Sequence, residues 1–232
     1  MRRLGVATAT IAVICGAALP LACQQTQAQG LDAGREALRT GDYDRAIAIL
    51  STLARTPSAT EADRFALVQA YRETGHYEEA EQAATVFADR GGMWQVTLAE
   101  LAVMRGDLDQ ADSLFRGGLE AGGRVALRSG AQLGRLLLTR GRRAEAGRIL
   151  INVVRSDLGP SSESGDLAAM ALALEGLGTG WGEPDRFREA LRMYDRAIAA
   201  DSFNLDAQVA LGTLFLAKYN RPDARTTFEA VV

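Results

Sequence analysis

Apolar positions recur three and four residues apart along most of the chain, and no stretch alternates apolar and polar residues with the period of two that a half-buried strand needs. The pattern predicts helices, and the helices come in pairs. The first of each pair carries apolar residues one turn apart: Leu67 and Tyr71, Leu98 and Ala102, Leu133 and Leu137, Leu211 and Phe215. A turn follows: Gly41-Asp42-Tyr43, Gly75-His76-Tyr77, Gly106-Asp107-Leu108, Gly141-Arg142-Arg143. Each turn leads to an alanine, Ala46, Ala80, Ala111 and Ala146; two later copies lack the glycine turn but keep Ala190 and Ala224. The alanines are spaced by 34, 31, 35, 44 and 34 residues.

The second helix carries a large apolar residue four positions past its alanine: Leu50, Phe115, Leu150, Tyr194 and Phe228, with Ala84 the exception. On the first helix a small residue follows the first apolar one: Gly34, Ala99, Gly134, Gly212. Two antiparallel helices cross closely only where small residues face each other, and large residues one turn away then fill the space on either side. Ala80, Ala111 and Ala146 are expected at such crossings, with Ala83 on a more open face. Pro57, Pro160, Pro184 and Pro222 all fall in proposed turns or first helical turns, where proline costs little. Two copies depart from the pattern. The third is short by three residues and preceded by Gly91-Gly92; the fifth has about ten extra residues, including Gly178 to Glu183. The glycines predict a loop there.

A period near 34 residues with this two-helix grammar resembles the tetratricopeptide repeat. The copies that carry the resemblance best are Tyr71 with Gly75-His76-Tyr77-Glu78-Glu79-Ala80, Phe187-Arg188-Glu189-Ala190-Leu191 with Tyr194 to Ile198, and Leu211-Gly212 with Phe215, Ala224 and Phe228. It covers about residues 30–232. It implies an all-α fold, a right-handed superhelical solenoid of about six antiparallel helix pairs, with repeats at about 29–59, 60–91, 92–124, 125–160, 161–203 and 204–232. One repeat cannot bury its own apolar face, so neighbours stabilise one another.

Residues 1–28 form a unit of another kind. Arg2 and Arg3 precede an apolar run from Leu4 to Ala22, and no acidic residue occurs before Asp32. A basic start, an apolar stretch and then small and polar residues read as an export signal. Thr26 and Ala28 suit cleavage after Ala28. Leu19-Pro20-Leu21-Ala22-Cys23 resembles the bacterial lipoprotein box, in which the cysteine is lipidated, although Pro20 stands where that box usually has leucine. The run is also just long enough for an uncleaved membrane anchor. The expected location is therefore periplasmic or outer-membrane-anchored. Losing residues 1–28 removes two arginines and no acid and takes the net charge from −3 to −5.

Composition narrows the chemistry. Only Lys218 among the 26 basic residues is a lysine, and the net charge offers no basic field for nucleic acid. One histidine, His76, and two cysteines, Cys15 and Cys23, leave little material for zinc sites, Ser–His or Cys–His catalysis or a disulfide framework. His76 is expected as a turn residue, with Glu78 and Glu79 favouring a helix N-terminus. Gly178 to Gly182 lacks the lysine and the preceding strand of a phosphate loop. No catalytic residue, cofactor or metal is expected.

In the family that the chain resembles, ligands lie in the concave groove formed by the first helices. By register that groove would show Arg35, Arg39, Gln69, Arg72, Glu73, Glu100, Arg128, Arg135 and Thr139. The lysines and asparagines of the family's clamp for a peptide C-terminus are absent from those places. The expected function is a non-catalytic scaffold for a protein or peptide partner, with arginines suited to acidic groups. Trp181 would either anchor a partner from a glycine-rich loop or fold back on a neighbouring pair; Trp94 is expected to pack. Two other functions fit the same residues. In one, the chain is the front of a longer enzyme with its catalytic domain beyond residue 232; in the other, it is a lipoprotein subunit of an outer-membrane assembly machine.

Overall fold

The computed structural model describes residues 21–159, 162–218 and 220–230, with side chains from residue 25 onward. Residues 1–20, which hold nearly all of the apolar run, and the Cys23 side chain lie outside the described residues, and with them the signal, lipidation and anchor readings. Among those residues are twelve α-helices and no strand. They form six consecutive pairs: α1 (Leu21–Arg39) with α2 (Tyr43–Leu53), α3 (Glu61–Glu73) with α4 (Tyr77–Phe87), α5 (Met93–Arg105) with α6 (Leu108–Glu120), α7 (Gly123–Thr139) with α8 (Arg143–Val154), α9 (Ser164–Trp181) with α10 (Pro184–Ala200), and α11 (Leu205–Ala217) with α12 (Arg221–Glu229). The fold is an all-α helical repeat.

The turns repeat down to single hydrogen bonds. In the first four pairs the amide after the glycine returns to a carbonyl five residues back: Asp42 to Ala37, His76 to Tyr71, Asp107 to Ala102 and Arg142 to Leu137, all at 2.8–2.9 Å. That closure needs a left-handed residue, and Gly41, Gly75, Gly106 and Gly141 supply it with φ of 73° to 83°. Asp42 and Asp107 then cap the second helices by accepting from the amides of Arg45 and Gln110.

Small-to-large packing in one register closes five of the six pairs. A Cβ at Gly34 would come within 2.7 Å of Leu50, at Gly134 within 2.2 Å of Leu150, and at Gly212 within 2.5 Å of the Phe228 ring. Ala99 and Phe115, both buried, occupy the same register in the third pair. The second pair exchanges the sizes: Val68 sits where the others have Gly or Ala, and Ala84 sits where they have a large residue. This accounts for the exception at Ala84, since the combined bulk is what the crossing tolerates. Ala46, Ala80, Ala111, Ala146 and Ala190 are wholly buried. Ala83 is buried too, contrary to the expectation of an open face, because α4 also packs on α5.

The long fifth repeat corrects two expectations. Its extra residues lengthen both helices, to 18 and 17 residues against 13 and 11 in the second pair, and do not form a loop. Glycine costs a helix about 1 kcal/mol relative to alanine. Here α9 packs on α7, α8, α10 and α11, and its glycines let neighbours close in. A Cβ at Gly178 would lie 3.0 Å from the Phe187 ring, and one at Gly180 would lie 3.3 Å from Leu138. The fifth turn also has its glycine after all, Gly182 at φ 70°, displaced to the end of the longer helix.

Replacing Ala111 by Leu should overpack the α5–α6 crossing and cost about 1–3 kcal/mol. Ala48→Leu, on the exposed side of α2, should cost far less. Denaturant titration of the two variants checks this; equal midpoints would mean that the register is misread.

Candidate functional site

First helices pack on first helices: α1 on α3, α5 on α7, α7 on α9, α9 on α11. Second helices instead pack on the first helix that follows them: α2 on α3, α4 on α5, α6 on α7, α8 on α9. The first helices therefore form the inner layer of the curve, and the concave face belongs to them. Arg35 and Arg39 on α1, Gln69 and Arg72 on α3, Glu100 on α5, and Arg128 and Arg135 on α7 all stand on these helices.

They do not form one open basic strip. Arg35 donates to Asp63 at 2.7 Å, and Arg128 donates through Nε to Asp166 at 2.8 Å. Asp63 and Asp166 are buried, and each is also the third residue of its helix in a capping box, with Thr60 and with Glu163. The arrangement joins one first helix to the next, α1 to α3 and α7 to α9. Arg124 reinforces the second link by donating to Asp166 at 2.8 Å and to Glu163, whose carboxyl is held below its usual range by that bond. Two of the expected groove arginines thus hold the stack together.

The rest gather around a charged cluster. Arg72 is bonded to Glu73 at 2.8 Å on its own helix and to both carboxylate oxygens of Asp206, 134 residues away on α11, at 3.1 Å. Burial works against the Arg72 charge, but Asp206, Glu73 and Glu100 outweigh it and hold the guanidinium above its ordinary range. Glu100, half-buried, accepts from Gln132 at 3.2 Å, and Arg135 donates to Gln132 at 2.9 Å. Burial and the nearby Asp206 push the Glu100 carboxyl up to about 7, against the pull of Arg72 and Arg128. Further along, Tyr194 donates to Glu175 at 2.9 Å, and burial raises the Glu175 carboxyl against the effect of that bond and of Arg135 and Lys218. The Lys218 ammonium lies 3.1 Å from the centre of the Phe187 ring. Arg39 pairs with Glu36 and also stacks at 4.0 Å over Phe203, which precedes α11.

Asp206 and Phe203 thus reach across the groove from the sixth pair to the first two. No local sequence signal marks them, because their position depends on the accumulated rotation of the three or four pairs between. The helix-opening spacings Thr60-x-x-Asp63 and Glu163-x-x-Asp166 are a signal that could have found Asp63 and Asp166 as caps, though not as partners of arginines on the preceding first helix.

Trp181 ends α9 and lies on α8: a Cβ at Gly147 would come within 2.7 Å of its ring, and the Arg143 guanidinium sits 5.8 Å from it. It remains 41% exposed, on second helices and away from the residues of the concave face. Trp94 is a core residue, stacked 4.0 Å from Phe65 and donating to Glu61 at 3.0 Å. His76 is a turn residue that meets Thr74 at 2.7 Å. Among the described residues no three His, Cys, Asp or Glu side chains gather as a metal site would.

The tetratricopeptide repeat family matches residues 31–92 and 185–232. The two matched segments make up a little under half of the chain and are similar to that repeat. A tetratricopeptide-repeat protein of Thermus thermophilus is 18% identical, over 82% of this chain and 99% of that one, with a TM-score of 0.52, a likeness of fold. A tetratricopeptide-repeat protein of Parabacteroides merdae is 14% identical over 89% of this chain and 79% of its own, TM-score 0.49. MamA AMB-1 is 23% identical over 77% of this chain and 93% of its own, TM-score 0.45. No curated protein matches the chain.

Glu100 gives the groove a pH signature. Its carboxyl titrates near 7 in the folded chain against an ordinary value of 4.5, so between those values the folded state binds more protons than the unfolded one. Its contribution to stability is therefore present below about pH 4.5 and is lost as pH rises through 7, by on the order of 1–3 kcal/mol. Glu100→Gln should remove that loss, so the variant gains on the wild type from pH 5 to 8. Thermal melts across this range check it; parallel curves would contradict it.

Proposed function

We propose that the chain is a non-catalytic protein-interaction scaffold working outside the cytoplasm, with a groove that receives acidic groups of a protein or peptide partner. The observation that carries the reading is the inner layer of first helices, on which Arg39, Arg72 and Arg135 stand. A repeat stack offers a long, preformed surface, which lowers the ordering cost of binding an extended or helical segment. The match to the tetratricopeptide repeat supports an interaction role. An arginine fork suits carboxylates because it can make two parallel hydrogen bonds, and Arg72 already meets a carboxylate, with Nη2 reaching both oxygens of Asp206. Arg35 and Arg128 serve the stack, so acid recognition is assigned to Arg39, Arg72 and Arg135.

Export rests on the Arg2-Arg3 start, the apolar run of residues 4–22 and the small residues before Ala28. Cleavage after Ala28 would free the scaffold in the periplasm, and lipidation of Cys23 would tether it to a membrane.

The test is a partner captured from the envelope fraction and titrated against wild type and an Arg39/Arg72/Arg135→Ala variant at two salt concentrations. The variant should bind at least about tenfold more weakly, with a shallower salt dependence, because exposed charges that steer and hold a partner are screened by salt. Unchanged affinity and salt slope would remove the groove arginines from recognition.

A further inference from the structure

Phe203 and Asp206 occupy the side of the groove where the proposed acid-reading arginines lie. Phe203 covers the Arg39 guanidinium at 4.0 Å, and Asp206 engages Arg72 through both oxygens at 3.1 Å. We propose that the segment Phe203–Asp206 is a built-in occupant of the groove of the first two helix pairs, and that an acidic partner segment gains the groove by displacing it. This deepens the scaffold reading and rests on it.

Three observations support the inference. First, the contact is made by side chains. The helices at the two ends keep to their own neighbours, α1 on α2 and α3, and α11 on α9, α10 and α12. Opening the contact therefore separates one ring from one guanidinium and one carboxylate from another, with no helix interface to break.

Second, exposure is lopsided. The Arg72 side chain is 14% exposed and that of Asp206 is 69% exposed. A largely buried cation is met by a carboxylate that arrives from solvent. If Asp206 leaves, Arg72 keeps, among the described residues, only Glu73 as an ion-pair partner within bonding distance, and the vacated position favours another carboxylate.

Third, the occupant is held in shape before it docks. The Asn204 side chain caps α11 by accepting from the Ala207 amide at 3.0 Å and donates to Ser164 at 2.8 Å. The Phe203 amide donates to Asp201 at 3.0 Å, and the Gln208 side chain donates to the Ser202 carbonyl at 2.7 Å. This turn presents an aromatic ring and a carboxylate three residues apart to two arginines. The partner chemistry that fits is the same: a carboxylate with a flat apolar side chain beside it. A partner competing with the occupant sees a binding-competent groove only in the fraction of molecules that are open, and its affinity falls by that fraction.

The test uses the full chain with Cys15 and Cys23 replaced by Ser and spin labels on Thr40→Cys and Ser202→Cys, both exposed positions. Pulsed electron resonance then reads the width of the groove. The parent should give one short, narrow distance at low salt. Phe203→Ala/Asp206→Asn, at two exposed positions, should leave the helix melt unchanged and give a longer and broader distribution. A synthetic peptide of residues 201–207 is the binding probe, with a version lacking both the ring and the carboxylate as control. The peptide should bind the double variant about tenfold more tightly than the parent, and the control should bind neither. A distance distribution unchanged in the double variant overturns the occupant. Equal peptide affinity for variant and parent overturns its competition with a ligand. Neither measurement uses the natural partner, so the scaffold reading is judged separately, by the arginine variant above.

Discussion

The structure depends on how closely the two helices of a pair can approach. Five of the six pairs offer one small and one large residue to a crossing, 16 positions apart along the chain: Gly34 and Leu50, Ala99 and Phe115, Gly134 and Leu150, Gly212 and Phe228, and in reverse Val68 and Ala84. Packed interiors have no spare volume, so the bulk is fixed while its distribution between the two helices is free. Four turns with the same hydrogen bonds set the angle at which the second helix returns. Once pairs share that geometry, the second helix of one must lie on the first helix of the next. The stack and its concave inner layer follow from this repetition.

A curved inner layer of helices brings polar residues from distant repeats together. Next to the crossings it places arginines of one first helix beside the buried carboxylates of the next, as with Arg35 and Asp63 or Arg128 and Asp166. Such pairs are costly to break once buried, so they fix the offset between successive repeats more than they add stability. Farther along, the curve brings Asp206 and Phe203 back to Arg72 and Arg39. Burial, with Asp206 close by, raises the Glu100 carboxyl against the pull of Arg72 and Arg128. The curvature that makes a binding surface also brings the chain's own acid to it.

The repeat period, the helix pairing and the burial of Ala80, Ala111 and Ala146 were legible in the sequence, because each rests on contacts within about 35 residues. The fifth pair was not. Gly178 and Gly180 read locally as loop formers, but α9 is covered on several sides, and burial against Phe187 and Leu138 outweighs their low helix propensity. Ala83 was misplaced for a related reason: contact with the following repeat, invisible within its own, buries it. Of the groove, the sequence register showed which residues stand on first helices. Which arginines are tied up by Asp63 and Asp166, and which meet Asp206, depends on positions 28 to 134 residues apart. That offset is set by superhelical geometry, which no single repeat encodes.

The most direct measurement of the central claim is a double-mutant cycle in the second pair, converting its reversed arrangement to that of the first and fourth. Val68→Gly alone should leave a cavity and Ala84→Leu alone should overpack, each costing about 1–3 kcal/mol or more. Together they should recover most of the loss, with a coupling of about 1–3 kcal/mol by denaturant titration. Additive losses, with the double variant as unstable as the sum of the singles, would contradict the account that a constant volume at the crossing builds the fold.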